Sequence, residues 1–148
     1  MSEVQLKNRL FTANAVSTGG RNGNVATDDQ VINVNLSIPK AMGGPGKPGT
    51  TTPEDLFAAG YAACFGSACE FVAKSMLKLN PTTIRVTCQV TIGQIDPAGF
   101  GLETKMQVGL GGLTSEQAHQ LVEKAHQICP YSNATRGNMK VTLEVSLL

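Results

Sequence analysis

Apolar and polar residues alternate with period two in four stretches of the chain. Over residues 32–38, Ile32, Val34, Leu36 and Ile38 share one face and Asn33, Asn35 and Ser37 the other. Over 84–92, Ile84, Val86, Cys88, Val90 and Ile92 point one way, over 102–110 Leu102, Thr104, Met106, Val108 and Leu110, and over 139–147 Met139, Val141, Leu143, Val145 and Leu147. This pattern predicts strands with one face buried and one face wet. A weaker strand is expected to run through residues 3–16. Asp96-Pro97-Ala98-Gly99, between the second and third of these stretches, suits a hairpin turn.

Two segments carry helical signals instead. Thr52-Pro53-Glu54-Asp55 offers an N-cap threonine, a proline at the first helical position and a capping-box acid. The helix it opens is expected to run to about Lys78, before Asn80-Pro81. Its first half, LFAAGYAACF, is apolar all round, which predicts burial on every side. A second helix starts at Thr114, with Gln117 completing a capping box. It buries Ala118, Leu121, Val122, Ala125, Ile128 and Cys129 as one stripe and stops at Pro130. The glycine- and proline-rich residues 42–52 read as an ordered loop between strand and helix. Together the elements predict one α+β domain over residues 1–148, a curved, mostly antiparallel sheet wrapped around a long buried helix.

Composition adds exclusions. The 148 residues are 41% hydrophobic and 16% charged, with net charge +1 and a pI near 7.7. That balance gives no basic patch for nucleic acid or for a membrane surface. The opening MSEVQLKNRL has no apolar signal core, and no stretch reads as the roughly 18 apolar residues of a membrane span. A soluble, cytoplasmic protein is expected. In a reducing cytosol its four cysteines are expected to serve transient rather than structural disulfides.

A reactive cysteine needs access and a positive neighbour. Cys88, on the apolar face of a strand, reads as a packed thiol, and so does Cys69, which is off the helical face of Cys64. Cys64 lies in a hydrophobic helix, where a cysteine is ordinarily a small apolar filler whose burial raises its pKa. Cys129 closes an apolar stripe at a helix end followed by Pro130-Tyr131-Ser132-Asn133, a place where backbone can move and sulfur can approach sulfur. Read locally, both remain open between packing and chemistry. Arg21 in Thr18-Gly19-Gly20-Arg21-Asn22-Gly23 is either a solvated turn residue or a site cation, and Glu54 either a helix-dipole partner or a site carboxylate. His119 and His126 have no third ligand at metal-site spacing, and Gly43-Gly44-Pro45-Gly46 lacks the Lys-Ser/Thr of a phosphate loop, so no metal and no cofactor is implied.

Three runs, in this order and at these spacings, resemble the bacterial organic hydroperoxide resistance proteins of the OsmC/Ohr superfamily. They are Thr18-Gly19-Gly20-Arg21-Asn22-Gly23, the stretch from Thr52-Pro53-Glu54-Asp55 through Gly60-Tyr61-Ala62-Ala63-Cys64-Phe65, and Cys129-Pro130-Tyr131-Ser132-Asn133-Ala134-Thr135-Arg136-Gly137-Asn138. The resemblance covers nearly the whole chain. It implies a peroxidatic Cys64, a resolving Cys129, an Arg21 that stabilises the thiolate and positions the peroxide, and a Glu54 that holds that arginine. It also implies alkyl and fatty-acid hydroperoxides as substrates, recycling by dithiols such as lipoyl groups on proteins, and an intertwined homodimer. Cys69 and Cys88 are extra to the family's pair. Leu56, Phe57, Tyr61 and Phe65 are candidate walls for an alkyl tail, with plain core as the competing reading.

Helix geometry adds a constraint. Ten residues separate Glu54 from Cys64, about 15 Å along one continuous helix. A glutamate cannot span that distance, so either the helix is broken or the Glu54 that serves a given Cys64 comes from the other subunit; the second is expected. Two rivals remain at this stage. One is a ligand-binding or redox-sensing module on the same fold. The other is a general thiol–disulfide oxidoreductase, against which the lack of a Cys-x-x-Cys pair argues.

Overall fold

The computed structural model describes residues 3–148. By its internal contacts the chain divides after Pro53 into two compact units.

The first unit is built on an antiparallel meander of β1 (Ala15–Thr18), β2 (Asn24–Thr27) and β3 (Asn33–Asn35), in that order. The register pairs Ala15 with Thr27 and Asn24 with Asn35. The Asn24 side chain donates to Asn33 and Asn35 across the same pair, at 3.0 and 3.1 Å. The strand expected within 3–16 is confined to its C-terminal end, and residues 3–14 lie outside any strand and are exposed. The alternation over 32–38 forms a strand only through Asn35. Beyond it Leu36 makes a single parallel bridge to Thr51, and Leu36 and Ser37 are buried. β2 has no counterpart among the expected elements, because four residues are too few for a period-two pattern to declare itself.

The turn between β1 and β2 explains the glycines of its motif. Gly19 and Gly20 adopt φ of 82° and 58°, left-handed values that cost a side chain dearly. At Gly23 a Cβ would lie 1.8 Å from the Thr18 carbonyl oxygen. The three glycines thereby close a tight one-turn helix, Gly20–Asn22, that carries Arg21.

The second unit opens with α1 (Pro53–Phe71), which continues as a π-helical turn, Val72–Met76. Then come β4 (Thr83–Gln94), β5 (Phe100–Gly111), α2 (Ser115–Ile128), α3 (Pro130–Thr135) and β6 (Lys140–Leu147). β4 and β5 form the expected hairpin, in register from Thr83–Gly111 to Gln94–Phe100, and the Ile95 N–H closes it on the Gly99 carbonyl at 3.1 Å. α2 starts as expected. The Thr114 side chain accepts from the Gln117 N–H at 3.2 Å, and the Gln117 side chain accepts from the Thr114 N–H at 3.0 Å.

Three expectations are corrected. Among the described residues the strands make two three-stranded sheets rather than one, and β6 pairs parallel to β5, from Glu103–Lys140 to Leu110–Leu147. A parallel neighbour needs a long crossover, and α2 with α3 is that crossover. The first helix is not buried on every side: Tyr61, Phe65, Ala68, Cys69, Val72 and Ala73 are buried, while Ala59 and Ala63 are exposed. Alanine and glycine on both faces hide the asymmetry, and only the large side chains mark the inner one. The same composition makes Pro53–Met76 long and apolar enough to cross a membrane, contrary to the expectation that no stretch would be. Its inner face is committed to the core, where Tyr61 and Phe65 pack with Met106, Val108 and Leu110 of β5 and Leu121, Val122 and Ala125 of α2. Burial of each large side chain contributes about 1.5–3 kcal/mol.

Candidate active site

α1 and the α2–α3 junction meet at two sulfurs. Cys64 lies one turn after Tyr61 on α1 and is half-buried. Cys129 is at once the last cap of α2 and the first cap of α3, in extended conformation (φ −60°, ψ 125°), and is wholly buried. Pro130 stands in the first turn of α3, where its missing N–H costs nothing. The run after Cys129, expected as a movable helix end, is therefore a second short helix. The Cys129 thiol donates to the Cys64 sulfur at 3.5 Å, and all four cysteines are free.

Gly60 lies under Tyr131 of the same junction. A Cβ there would come 2.7 Å from the Tyr131 hydroxyl and 3.2 Å from its ring, so the bare helix surface is what Tyr131 lies on. Tyr131 completes a three-ring cluster with Phe57 and Tyr61, at centroid separations of 5.7–6.0 Å, a spacing at which aromatic edges and faces attract.

Burial pushes the Cys64 thiol up, the Tyr131 backbone N–H draws it back down, and the neighbouring Cys129 raises it again. Burial pushes Cys69 up to about 12 and raises Cys88 as well. The neighbouring Cys129 adds to the rise at Cys69, and both thiols pack in or against the core, in keeping with their reading as packed sulfurs.

Behind the sulfurs runs a hydrogen-bond chain that sequence reasoning did not find. Tyr61 Oη and Ser132 Oγ are 2.7 Å apart, and Ser132 Oγ and His126 Nδ1 are 2.8 Å apart. Arg136 donates to the His126 carbonyl and, at 2.6 Å, to the Asn133 side chain. Burial raises Tyr61, against the Ser132 and Thr135 hydroxyls, and burial lowers His126, helped by the Arg136 cation. His126 drew notice only as a metal ligand, and Ser132 only as part of a motif. Their signal was spacing: each is three residues from Cys129, on opposite sides.

Of the other expected site residues, Tyr61 and Phe65 are wholly buried in the core, while Leu56 and Phe57 are half-buried. Phe57 also lines an open groove of about 810 Å³, with Phe100, Leu102, Thr135 and Met139. Glu54 stands in the first turn of α1, and α1 is unbroken from there to Cys64, so the two are about 15 Å apart along one chain. Arg21 is half-buried on its turn in the first unit.

Residues 44–144 match the family of OsmC-like proteins. The organic hydroperoxide resistance protein of Xanthomonas axonopodis pv. citri is 48% identical over 138 residues, covering 93% of this chain and 95% of that one. The organic hydroperoxide resistance protein OhrB of Bacillus subtilis is 43% identical over 136 residues, 92% and 98% of the two chains. The crystal structure of an organic hydroperoxide resistance protein from Elizabethkingia anophelis superposes with a TM-score of 0.90 at 49% identity, covering 97% of this chain and all of that one. The α+β fold with its long helix and these likenesses agree: the chain belongs to the OsmC-like family, in its organic hydroperoxide resistance branch.

Proposed function

We propose that the protein is a thiol-dependent peroxidase that reduces organic hydroperoxides, with Cys64 attacking and Cys129 resolving. The observation that carries the reading is the 3.5 Å approach of two free thiols from helices far apart in sequence. In the first step the Cys64 thiolate attacks the distal peroxide oxygen. The O–O bond breaks, the alkoxide takes a proton and leaves as the alcohol, and Cys64 becomes a sulfenic acid. The Cys129 sulfur then displaces water from Cys64, giving a Cys64–Cys129 disulfide. A dithiol, in this reading a lipoyl group on a protein, reopens it by exchange.

Burial works against the first step, because it favours the neutral Cys64 thiol. The Tyr131 N–H offsets part of that cost, and a cation at the sulfur would offset more. Arg21 is the residue that the family resemblance offers, to favour the thiolate and to meet the charge growing on the leaving oxygen. Glu54 would hold that guanidinium. The unbroken α1, which sets Glu54 about 15 Å from the Cys64 of its own chain, supports a homodimer with composite sites, each Cys64 served by the other subunit's Glu54. Leu56 and Phe57 suit an alkyl tail better than Tyr61 and Phe65, which are wholly buried.

Mass spectrometry after one equivalent of cumene hydroperoxide tests the pairing. A Cys64–Cys129 bond is expected, and a bond through Cys69 or Cys88 overturns the assignment. Consumption of the peroxide with dihydrolipoamide is expected to vanish in Cys64→Ser; full turnover by that variant sinks the catalytic role. A disulfide that forms once without turnover points to redox sensing.

A further inference from the structure

Disulfide formation asks for a small, directed movement. The two sulfurs stand 3.5 Å apart and must reach about 2.05 Å with a defined torsion. Meanwhile the Cys64 sulfenic acid is open to a second hydroperoxide, which would carry it irreversibly to sulfinic acid. Whatever holds the Cys129 turn in place decides that competition.

Ser132 occupies the position to do so. Its side chain is wholly buried, so no solvent competes for its bonds. It lies three residues after Cys129, and its partner Tyr61 lies three residues before Cys64. The Tyr61–Ser132 bond thus runs beside the sulfur contact, one helical turn away on each helix. Its other partner, His126, lies three residues before Cys129 on α2. A hydroxyl has one proton and two lone pairs, so Ser132 can donate to one neighbour while accepting from the other, or accept from both. Three helices are joined at one oxygen, and the joint brackets Cys129 on both sides. Arg136 adds a second strap from the last turn of α2 to α3.

We propose that Ser132, bridging His126 and Tyr61, is a positioning residue for the resolving sulfur, holding the Cys129 turn against α1 so that Cys129 captures the Cys64 sulfenic acid before a second hydroperoxide does. The proposal rests on the peroxidase reading above. Capture forms the S–S bond and releases the sulfenic oxygen as water, with the Cys129 proton. Failed capture consumes a second hydroperoxide, which is reduced to its alcohol as Cys64 gains an oxygen.

Rapid-quench mass spectrometry of the full chain separates the two steps. With one equivalent of cumene hydroperoxide, Ser132→Ala is expected to lose the Cys64 thiol at a rate within twofold of the parent but to form the Cys64–Cys129 bond roughly tenfold or more slowly, as small misplacements of reacting atoms do. With excess peroxide it is expected to accumulate Cys64 sulfinic acid at a correspondingly lower concentration. His126→Leu removes the other end of the bridge from a half-buried position, and the same split is expected there, also if Ser132→Ala does not fold. Disulfide formation at the parent rate in the variants overturns the proposal, as does an equal fall in both steps, which would signal general loss of structure. A parent protein that never forms the Cys64–Cys129 bond overturns the peroxidase reading, and this inference with it.

Discussion

Burial sorts the cysteines at the scale of single residues. Cys69 is wholly buried and its pKa is pushed up to about 12. At pH 8 only about one Cys69 in ten thousand is then a thiolate, against about one in ten for a thiol of pKa 9. Iodoacetamide at pH 8 is expected to spare Cys69 in the folded protein and label it in urea, as peptide mapping would read; fast native labelling would refute its burial. The same shift sets a sign. The fold favours neutral Cys69, so this contribution is intact below the unfolded thiol's pKa and is lost as pH rises toward 12. Packed Cys69 and Cys88 were readable from helical angle and strand parity. Cys64 and Cys129 were not separable from them by local pattern, because reactivity depends on a partner sulfur that is remote in sequence. The ordered motifs, and not the chemistry of either neighbourhood, singled them out. Ser132 and His126 escaped altogether, since a hydrogen bond between helices leaves no periodic trace.

Caps and periods made most elements legible. The four alternating stretches all contain strand residues, and both predicted helices start where their caps stand. The Thr114–Gln117 box holds the N-terminus of α2, the helix that ends at Cys129. Thr114→Ala is expected to cost about 1 kcal/mol, read as a lower urea midpoint at unchanged slope; an unchanged midpoint would show the cap to be redundant. Pairing partners were less legible than the strands. Alternation says which face of β6 is buried but not which way the strand runs beside β5. The sense follows from the α2–α3 crossover, and α3 was hidden behind a proline that reads as a stop. The all-apolar first half of α1 misled for a similar reason: alanines and glycines carry little information on which face is inside, and Tyr61 and Phe65 carry most of it.

For the molecule as a whole, the unbroken α1 bears on assembly. Glu54 and Cys64 stand about 15 Å apart along one helix, and the composite sites proposed above make a definite demand on mixtures. Neither Cys64→Ser nor Glu54→Gln homodimers should turn over peroxide at more than a small fraction of the parent rate. Co-refolded together, the two variants are expected to regain up to about half the parent rate per mixed dimer, because one of its two sites receives an intact Cys64 and an intact Glu54. A mixture as inactive as its components would place both residues in one chain. A last consequence lies in the 65 positions that separate Cys64 from Cys129. Closing so long a loop strips entropy from the unfolded chain, about 4 kcal/mol in the loop-entropy account. The oxidised protein should therefore unfold at markedly higher urea than the reduced one, and equal midpoints would rule this out. By the same cycle the native fold makes the bond easier to form than the open chain does. Each turnover would then alternate the molecule between a looser and a tighter form, and a melting curve becomes a gauge of how much of the protein is waiting for its reductant.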